Sequence, residues 1–354
     1  MLFGFEGAIL QDGSGGDGEV ETPDTYRTQK LSTSSAKIVG PAPAKIACRR
    51  VPFFCLFNDS RLFFCYTVKA DRMVFMYIST IHSLESLEKL KEAGIDAVII
   101  GVPYYSIRHC IEVDKTNLKV WKDKCKELNI KLYVNFLRMC SEKEIEKAKE
   151  WMQIFKDINI DGIYYADEGI LYIAQEMNIQ NKLIYQPETL VTSSMDVNFY
   201  LEQGIQAVSL AHEMSLDEIM MIAQAADHLE VLVNGYFSIM YSRRPLISNY
   251  LDAINSNAIK ENKRYDLIEK TRDERMPIYE DHAGTHIFSA NPISSFEQMD
   301  SLKEAGIKRF RIDSIFFDDV YTIQVLNAYK TKTNLNIGCD RWYHETTIKK
   351  KEGQ

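Results

Sequence analysis

The chain lacks most of the short motifs that announce a catalytic mechanism. Beyond Met73 no Gly-x-Gly-x-x-Gly turn joins a strand to a helix, which removes the usual dinucleotide-binding signal. There is no Gly-x-Ser-x-Gly elbow and no His-Glu-x-x-His helix, so no nucleophile stands beside its base and no zinc-peptidase pattern is present. The seven cysteines (48, 55, 65, 110, 125, 140 and 339) include no Cys-x-x-Cys pair. Their odd number and wide spacing argue for reduced thiols rather than a disulfide framework, and against a zinc or iron–sulfur ligand set. Cys110, Cys125 and Cys140 read as packing residues away from any site.

Long apolar runs are also missing. The nearest approach to a membrane span, Val51–Val68, is broken by Asn58, Asp59 and Arg61. It lies far from the N-terminus and has no small-residue cleavage site, so a cytoplasmic protein is expected. With 50 acidic and 42 basic residues the net charge is −8. That argues against generalised affinity for nucleic acid or membrane, but leaves room for a local basic patch. A hydrophobic fraction of 45% over 354 residues suffices for a large buried core.

What is present is a repeat. Residues 1–72 are Gly/Ser/Asp- and Ser/Ala/Pro-rich and without period, an irregular or disordered extension read as an upstream mis-translation, with a real N-terminal extension as the alternative. From residue 73 to 330 a charged helix, a Gly or Asn, an Ile and a short apolar strand recur. The unit appears as Leu90-Lys-Glu-Ala-Gly-Ile-Asp-Ala-Val-Ile-Ile100 and again as Leu302-Lys-Glu-Ala-Gly-Ile-Lys-Arg-Phe-Arg-Ile312. The Gly or Asn suits a left-handed helix terminus and the Ile enters a buried strand.

Eight strands follow: 74–80, 97–101, 131–136, 162–167, 182–186, 206–210, 230–235 and 309–313. Alternation with helices predicts an α/β fold, a (β/α)8 TIM-like barrel, with an open doubly wound sheet as the alternative. An insertion (251–289) between strands seven and eight is expected to hold a charged helix over 251–275 and a hairpin over 276–289. Residues 331–354 form a C-terminal tail.

Function in such barrels gathers at the C-terminal strand ends. Those ends carry Ser79-Thr80, Asn135, Asp167-Glu168, Gln186-Pro187-Glu188-Thr189, His212-Glu213, Asn234 and Asp313-Ser314. Asp167 could cap the following helix or serve the site. Glu188 and Thr189 read as starting the next element. Ser215 and Glu218 form a capping box, which frees His212 and Glu213 for chemistry. The catalytic candidates are therefore Asp167, His212 and Glu213. Gln186, Asn234, Tyr241, Arg243 and Arg244 are the candidates for substrate binding, the two arginines because guanidinium groups suit phosphate or carboxylate. Lysines and arginines from Lys260 to Arg275, near Tyr265 and Tyr236, are compatible with RNA.

The segment Leu229–Tyr250 resembles the signature of the collagenase-like peptidases, family thirty-two among those of unassigned mechanism. The resemblance rests on Glu230-Val231-Leu232-Val233, Gly235, Tyr241-Ser242-Arg243-Arg244 and Leu246-Ile247-Ser248-Asn249-Tyr250, and on Glu280-Asp281-x-x-Gly284-Thr285-His286. It covers about residues 74 to 330. It implies a transfer-RNA hydroxylation protein, making 5-hydroxyuridine at the wobble position, often with a related second subunit and with prephenate as a required metabolite. Cluster-bearing members carry cysteines where this chain has Ser238 and Pro245, so the resemblance implies no iron–sulfur cluster on this chain. A peptidase using Glu213, His212 and His286 with an activated water, or a non-catalytic subunit of a cluster-bearing paralogue, are the alternatives.

Overall fold

The computed structural model describes residues 8–12, 75–270 and 273–344. The proposed non-native extension over 1–72 lies outside them, apart from one strand, β1 (Ala8–Asp12). Seven strands follow in chain order: β2 (Met76–Thr80), β3 (Ala97–Gly101), β4 (Lys131–Phe136), β5 (Gly162–Tyr165), β6 (Leu183–Tyr185), β7 (Ala207–Ser209) and β8 (Leu229–Gly235). An excursion supplies β9 (Ser238–Ser242), β10 (Arg264–Glu269), β11 (Arg275–Asp281), β12 (Gly284–Phe288) and β13 (Ile293–Ser294) before β14 (Arg309–Ile312). Parallel pairing runs from β2 through β8, from β8 to β14 and from β14 back to β2. The eight parallel strands thus close into the expected (β/α)8 barrel, with no open edge.

The recurring unit accounts for the wall. Helix α1 (Leu87–Ala93) stops at Gly94, whose φ of 100° lets its N–H reach the carbonyls of Leu90 and Lys91. Ile95 is then buried and the chain enters β3, buried along its whole length. Asn159, at φ 57°, ends α3 (Ile145–Ile158) in the same way. The helices α2 (Leu118–Glu127), α4 (Glu168–Glu176), α5 (Ser194–Glu202), α6 (Leu216–Ala223), α8 (Met299–Glu304) and α9 (Asp319–Thr331) complete the outer layer. Their apolar faces and the outward strand residues make one continuous core. Among the described residues no helix is long and apolar enough to cross a membrane.

The excursion differs from expectation. The charged run after Leu251 is not a helix: α7 (Leu246–Ala253) stops early, and Asn255 and Asn262 take left-handed backbone. In β10, Tyr265 and Leu267 alternate with polar Arg264 and Asp266 and bury against α7, so period two prevails over the charge composition. Strands β1, β10, β11, β12 and β9 form an antiparallel sheet. The hairpin of β11 and β12 turns at Asp281–Gly284, as the sequence predicts. Its tip residue Ala283 joins the apolar cluster of Ile78, Ile99, Ile107 and Tyr164 inside the barrel, so the sheet lies over the mouth. Beyond α9 the chain returns to the barrel. Cys339 bridges Ile293, and Tyr343 of α10 (Arg341–His344) is buried against Ser295.

Candidate functional site at the barrel mouth

Three residues at the mouth hold left-handed backbone without being glycine or asparagine: Tyr104 (φ 72°), Arg108 (φ 53°) and Glu188 (φ 72°). Such conformations cost of order 1–3 kcal/mol each and persist where the surroundings enforce them. The loop after β3 shows how. Ser106 accepts from Val102 N–H and donates to the Asn135 carbonyl, while Asn135 Nδ2 donates to the Ile107 carbonyl at 2.7 Å. Asn135 is thus the brace that aims Arg108 inward. The loop after β6 is tied as firmly, because His212 N–H donates to the Glu188 carbonyl.

Glu188 is the hub of the site. Its Oε1 accepts from Arg108 Nη2 at 2.8 Å and from Gln186 Nε2 at 2.9 Å, and its Oε2 lies 3.6 Å from His212 Nδ1. On the far side of the imidazole, Arg311 Nη2 donates to His212 Nε2 at 2.7 Å. Arg311 also faces Asp313 at 3.6 Å and Glu230 at 3.5 Å. Deeper in the barrel, Glu230 is fully buried and accepts from Tyr164 (2.9 Å) and Arg309 (3.1 Å). Asp313 reaches its place because Gly235, at φ 116°, allows close strand approach: a Cβ there would lie 2.0 Å from the Asp313 carbonyl oxygen.

Electrostatics separate the two carboxylates of the mouth. Burial opposes the ionisation of Glu188, but Arg108, His212 and Arg311 outweigh it and hold the carboxyl at about 2. Burial pushes Asp313 up to about 6, with Arg311 only partly countering and the Glu188 charge adding to the rise. His212 is held neutral: burial lowers it to about 3, although Glu188 acts in the opposite sense. Arg108, Arg309 and Arg311 are set against the carboxyl groups of Glu188 and Glu230. Paired carboxyls with separated proton affinities suit acid–base work.

The hairpin roofs this cluster. His286 is fully buried between the rings of Tyr241 (4.9 Å) and Tyr279 (5.0 Å) and faces Asp281 at 3.3 Å. Burial keeps its imidazole neutral. Asp281 also accepts from Ala283 N–H and the Tyr279 hydroxyl, and with His286 these outweigh burial and hold it at about 2. At the rim, Glu144 gathers Arg138, Arg243, Ser141 and the Tyr104 hydroxyl.

Gln186 and His212 therefore meet in one cluster, and Tyr241 closes over it. The other candidates sit elsewhere. Asp167 is a helix cap: one oxygen accepts from Gly169 N–H (2.7 Å), the other from Cys140 N–H (2.6 Å). Glu213 is half-buried and makes no hydrogen bond or ion pair among the described residues. Asn234 turns outward and accepts from Tyr321 of α9, at a register shift between β8 and β14. Arg243 and Arg244 do not act as a pair. Arg243 bonds Glu144 at the rim, whereas the Arg244 side chain is exposed and has no partner among the described residues. The cations of the mouth are instead Arg108 and Arg311.

Sequence reasoning passed over Arg108, Glu188, Arg311 and Asp313 as a set. One signal was available: Arg309, Arg311 and Asp313 alternate with Phe310 and Ile312, which puts charges on the inner face of a barrel strand. Cys110 is also nearer the mouth than expected, 3.9 Å from Ser314 Oγ, with burial keeping it a thiol. A nucleophile-like contact exists between Ser314 Oγ and His82 Nε2 (3.1 Å), but Ser314 is fully buried and bonded to Thr80.

The family model "Peptidase family U32" matches residues 82–349, about three quarters of the chain. The chain belongs to this family. Among its curated relatives, "tRNA hydroxylation protein P2" of Bacillus subtilis is 27% identical over 70% of this chain and 81% of its own length. "tRNA hydroxylation protein P1" of the same organism is 24% identical over 69% of this chain. The match spans only 60% of that relative. A solved U32 peptidase aligns over 68% of this chain and 93% of its own, at 12% identity and a TM-score of 0.44.

Ser238 is buried in β9, where it pairs with Phe288, and Pro245 heads α7 with no donor atom. Among the described residues no group of three or more His, Cys, Asp or Glu is disposed to hold a metal ion.

Proposed function

We propose that this chain is a transfer-RNA modification factor that acts in hydroxylation of the wobble uridine to 5-hydroxyuridine. The observation that carries the reading is the Arg108–Glu188–His212–Arg311–Asp313 cluster under the hairpin roof. It is a charged, pre-organised mouth in a chain whose curated relatives are named for transfer-RNA hydroxylation. In this reading Asp313 takes up or releases a proton near neutrality. Glu188 keeps Arg108 and His212 in position, and the guanidinium groups of Arg108 and Arg311 receive a small carboxylate. A prephenate-like co-substrate has that chemistry.

Ser238 and Pro245 offer iron no thiolate, so any redox component comes from outside this chain, and a related second subunit is the proposed source. The peptidase reading has less support. His286 is enclosed between two tyrosines, Glu213 has no partner among the described residues, and Ser314 is inaccessible to a peptide.

Mass spectrometry of transfer-RNA nucleosides from a strain lacking the gene tests the proposal. Loss of 5-hydroxyuridine, restored by the wild-type chain, is expected. Unchanged levels in the deletion strain overturn it.

A further inference from the structure

The rim holds an aromatic ring whose fixing the Glu188 cluster does not explain. Tyr104 is 40% exposed despite its strained backbone. One face of its ring is covered by the Arg138 guanidinium, 3.7 Å from the ring centroid. Arg138 is itself immobilised, donating to the Tyr104 carbonyl at 3.0 Å and pairing with Glu144. The Tyr104 hydroxyl bonds the same Glu144, which burial disfavours as an anion but Ser141, Tyr104 and Arg138 stabilise. The ring is therefore held at its edge and at its back.

The ring also neighbours that of His282, an exposed residue at the hairpin tip, with ring centroids 6.3 Å apart and planes inclined by 27°. A planar ring held between two others needs roughly 7 Å, twice the carbon–carbon van der Waals separation. A small outward shift of His282 would admit one. The tip is anchored on either side of His282, by Asp281 accepting the N–H groups of Ala283 and Gly284 and by Ala283 packing into the barrel.

Resting on the RNA reading above, we propose that Tyr104, backed by Arg138, and His282 clamp an unpaired nucleobase of the RNA over the mouth. A base in a duplex cannot enter between two protein rings, so the partner is single-stranded or looped RNA with an extruded base. Stacking recognises any base by its face, and the charged cluster below supplies discrimination.

Fluorescence anisotropy of the full chain with a transfer-RNA transcript, and with a blunt RNA duplex as control, tests this. Tyr104→Leu and His282→Ala are each expected to weaken transcript binding by about 5- to 100-fold. Tyr104→Phe and Tyr104→Trp should bind nearly as wild type, and duplex binding should not change. His282 is exposed, so its variant reports on the clamp even if Tyr104→Leu destabilises the loop. Wild-type affinity in both His282→Ala and Tyr104→Leu overturns the clamp alone. A loss in Tyr104→Phe as large as in Tyr104→Leu also overturns it, by assigning the role to the hydroxyl. A wild-type chain that binds no transcript overturns the RNA reading and the clamp together.

Discussion

Arg311 Nη2 lies 2.7 Å from His212 Nε2, and this contact fixes the tautomer of a buried histidine. A guanidinium can only donate, so Nε2 accepts and the proton resides on Nδ1, which faces Glu188. With burial lowering its pKa to about 3, His212 should stay neutral across the physiological range. Nitrogen-15 NMR of the imidazole is expected to show protonated Nδ1, bare Nε2 and no titration between roughly pH 5 and 8. A midpoint near the ordinary value of about 6.5 contradicts this.

Glu230 binds Arg309 at 3.1 Å and faces Arg311 at 3.5 Å with no exposure to water. Removing one partner of a buried ion pair costs about 3–5 kcal/mol because the remaining charge is left uncompensated. Glu230→Ala should therefore lower stability by that order in chemical denaturation, and Tyr164→Phe by less. A cost under about 1 kcal/mol for Glu230→Ala would mean that water reaches the triad.

Asp313 and Glu188 make opposite contributions to the pH dependence of stability. Asp313 is raised to about 6 in the folded chain from about 3.9 unfolded, so the folded state binds its proton more tightly. Its contribution is full below pH ~4 and is lost as pH rises through about 6, a change of about 3 kcal/mol. Glu188 is lowered to about 2, so its contribution is present above pH ~4.3 and is lost as pH falls towards 2. Asp313→Asn should remove the loss of stability between pH 4 and 6, as measured by urea denaturation at several pH values. If wild type and Asp313→Asn depend on pH alike over that interval, Asp313 is not the raised group.

Gly235 adopts φ 116°, and a methyl group there would lie 2.0 Å from the Asp313 carbonyl oxygen. Gly235→Ala is expected to cost at least about 2 kcal/mol, since strained backbone and backbone contact add. It should also shift the Asp313 titration, because Asp313 N–H is bonded to the neighbouring Asn234 carbonyl. Calorimetry with a pH series checks both effects.

Much of the wall was legible in the sequence. The helix–Gly/Asn–Ile–strand unit states a local rule, and local backbone preference agrees with burial at Gly94, Asn159 and Ile95. The Ser215–Glu218 capping box is present for the same reason. The site was less legible because it depends on strained conformations and distant contacts. Glu188 sits after Pro187 in a left-handed conformation that local preference disfavours, and Arg108 approaches it from 80 residues earlier. Adjacent arginines suggested a joint clamp, but the backbone directs Arg243 to Glu144 and Arg244 to solvent. Asp167, placed between two roles by its sequence, has both oxygens occupied by backbone N–H groups.

The most direct test of the account is complementation of the deletion strain with Glu188→Gln, followed by quantification of 5-hydroxyuridine in transfer RNA. The variant should express, retain the wild-type circular dichroism spectrum and fail to restore the nucleoside, because Arg108 and His212 lose their shared anion. Restoration to the wild-type level would contradict the assignment of the barrel-mouth cluster as the working site.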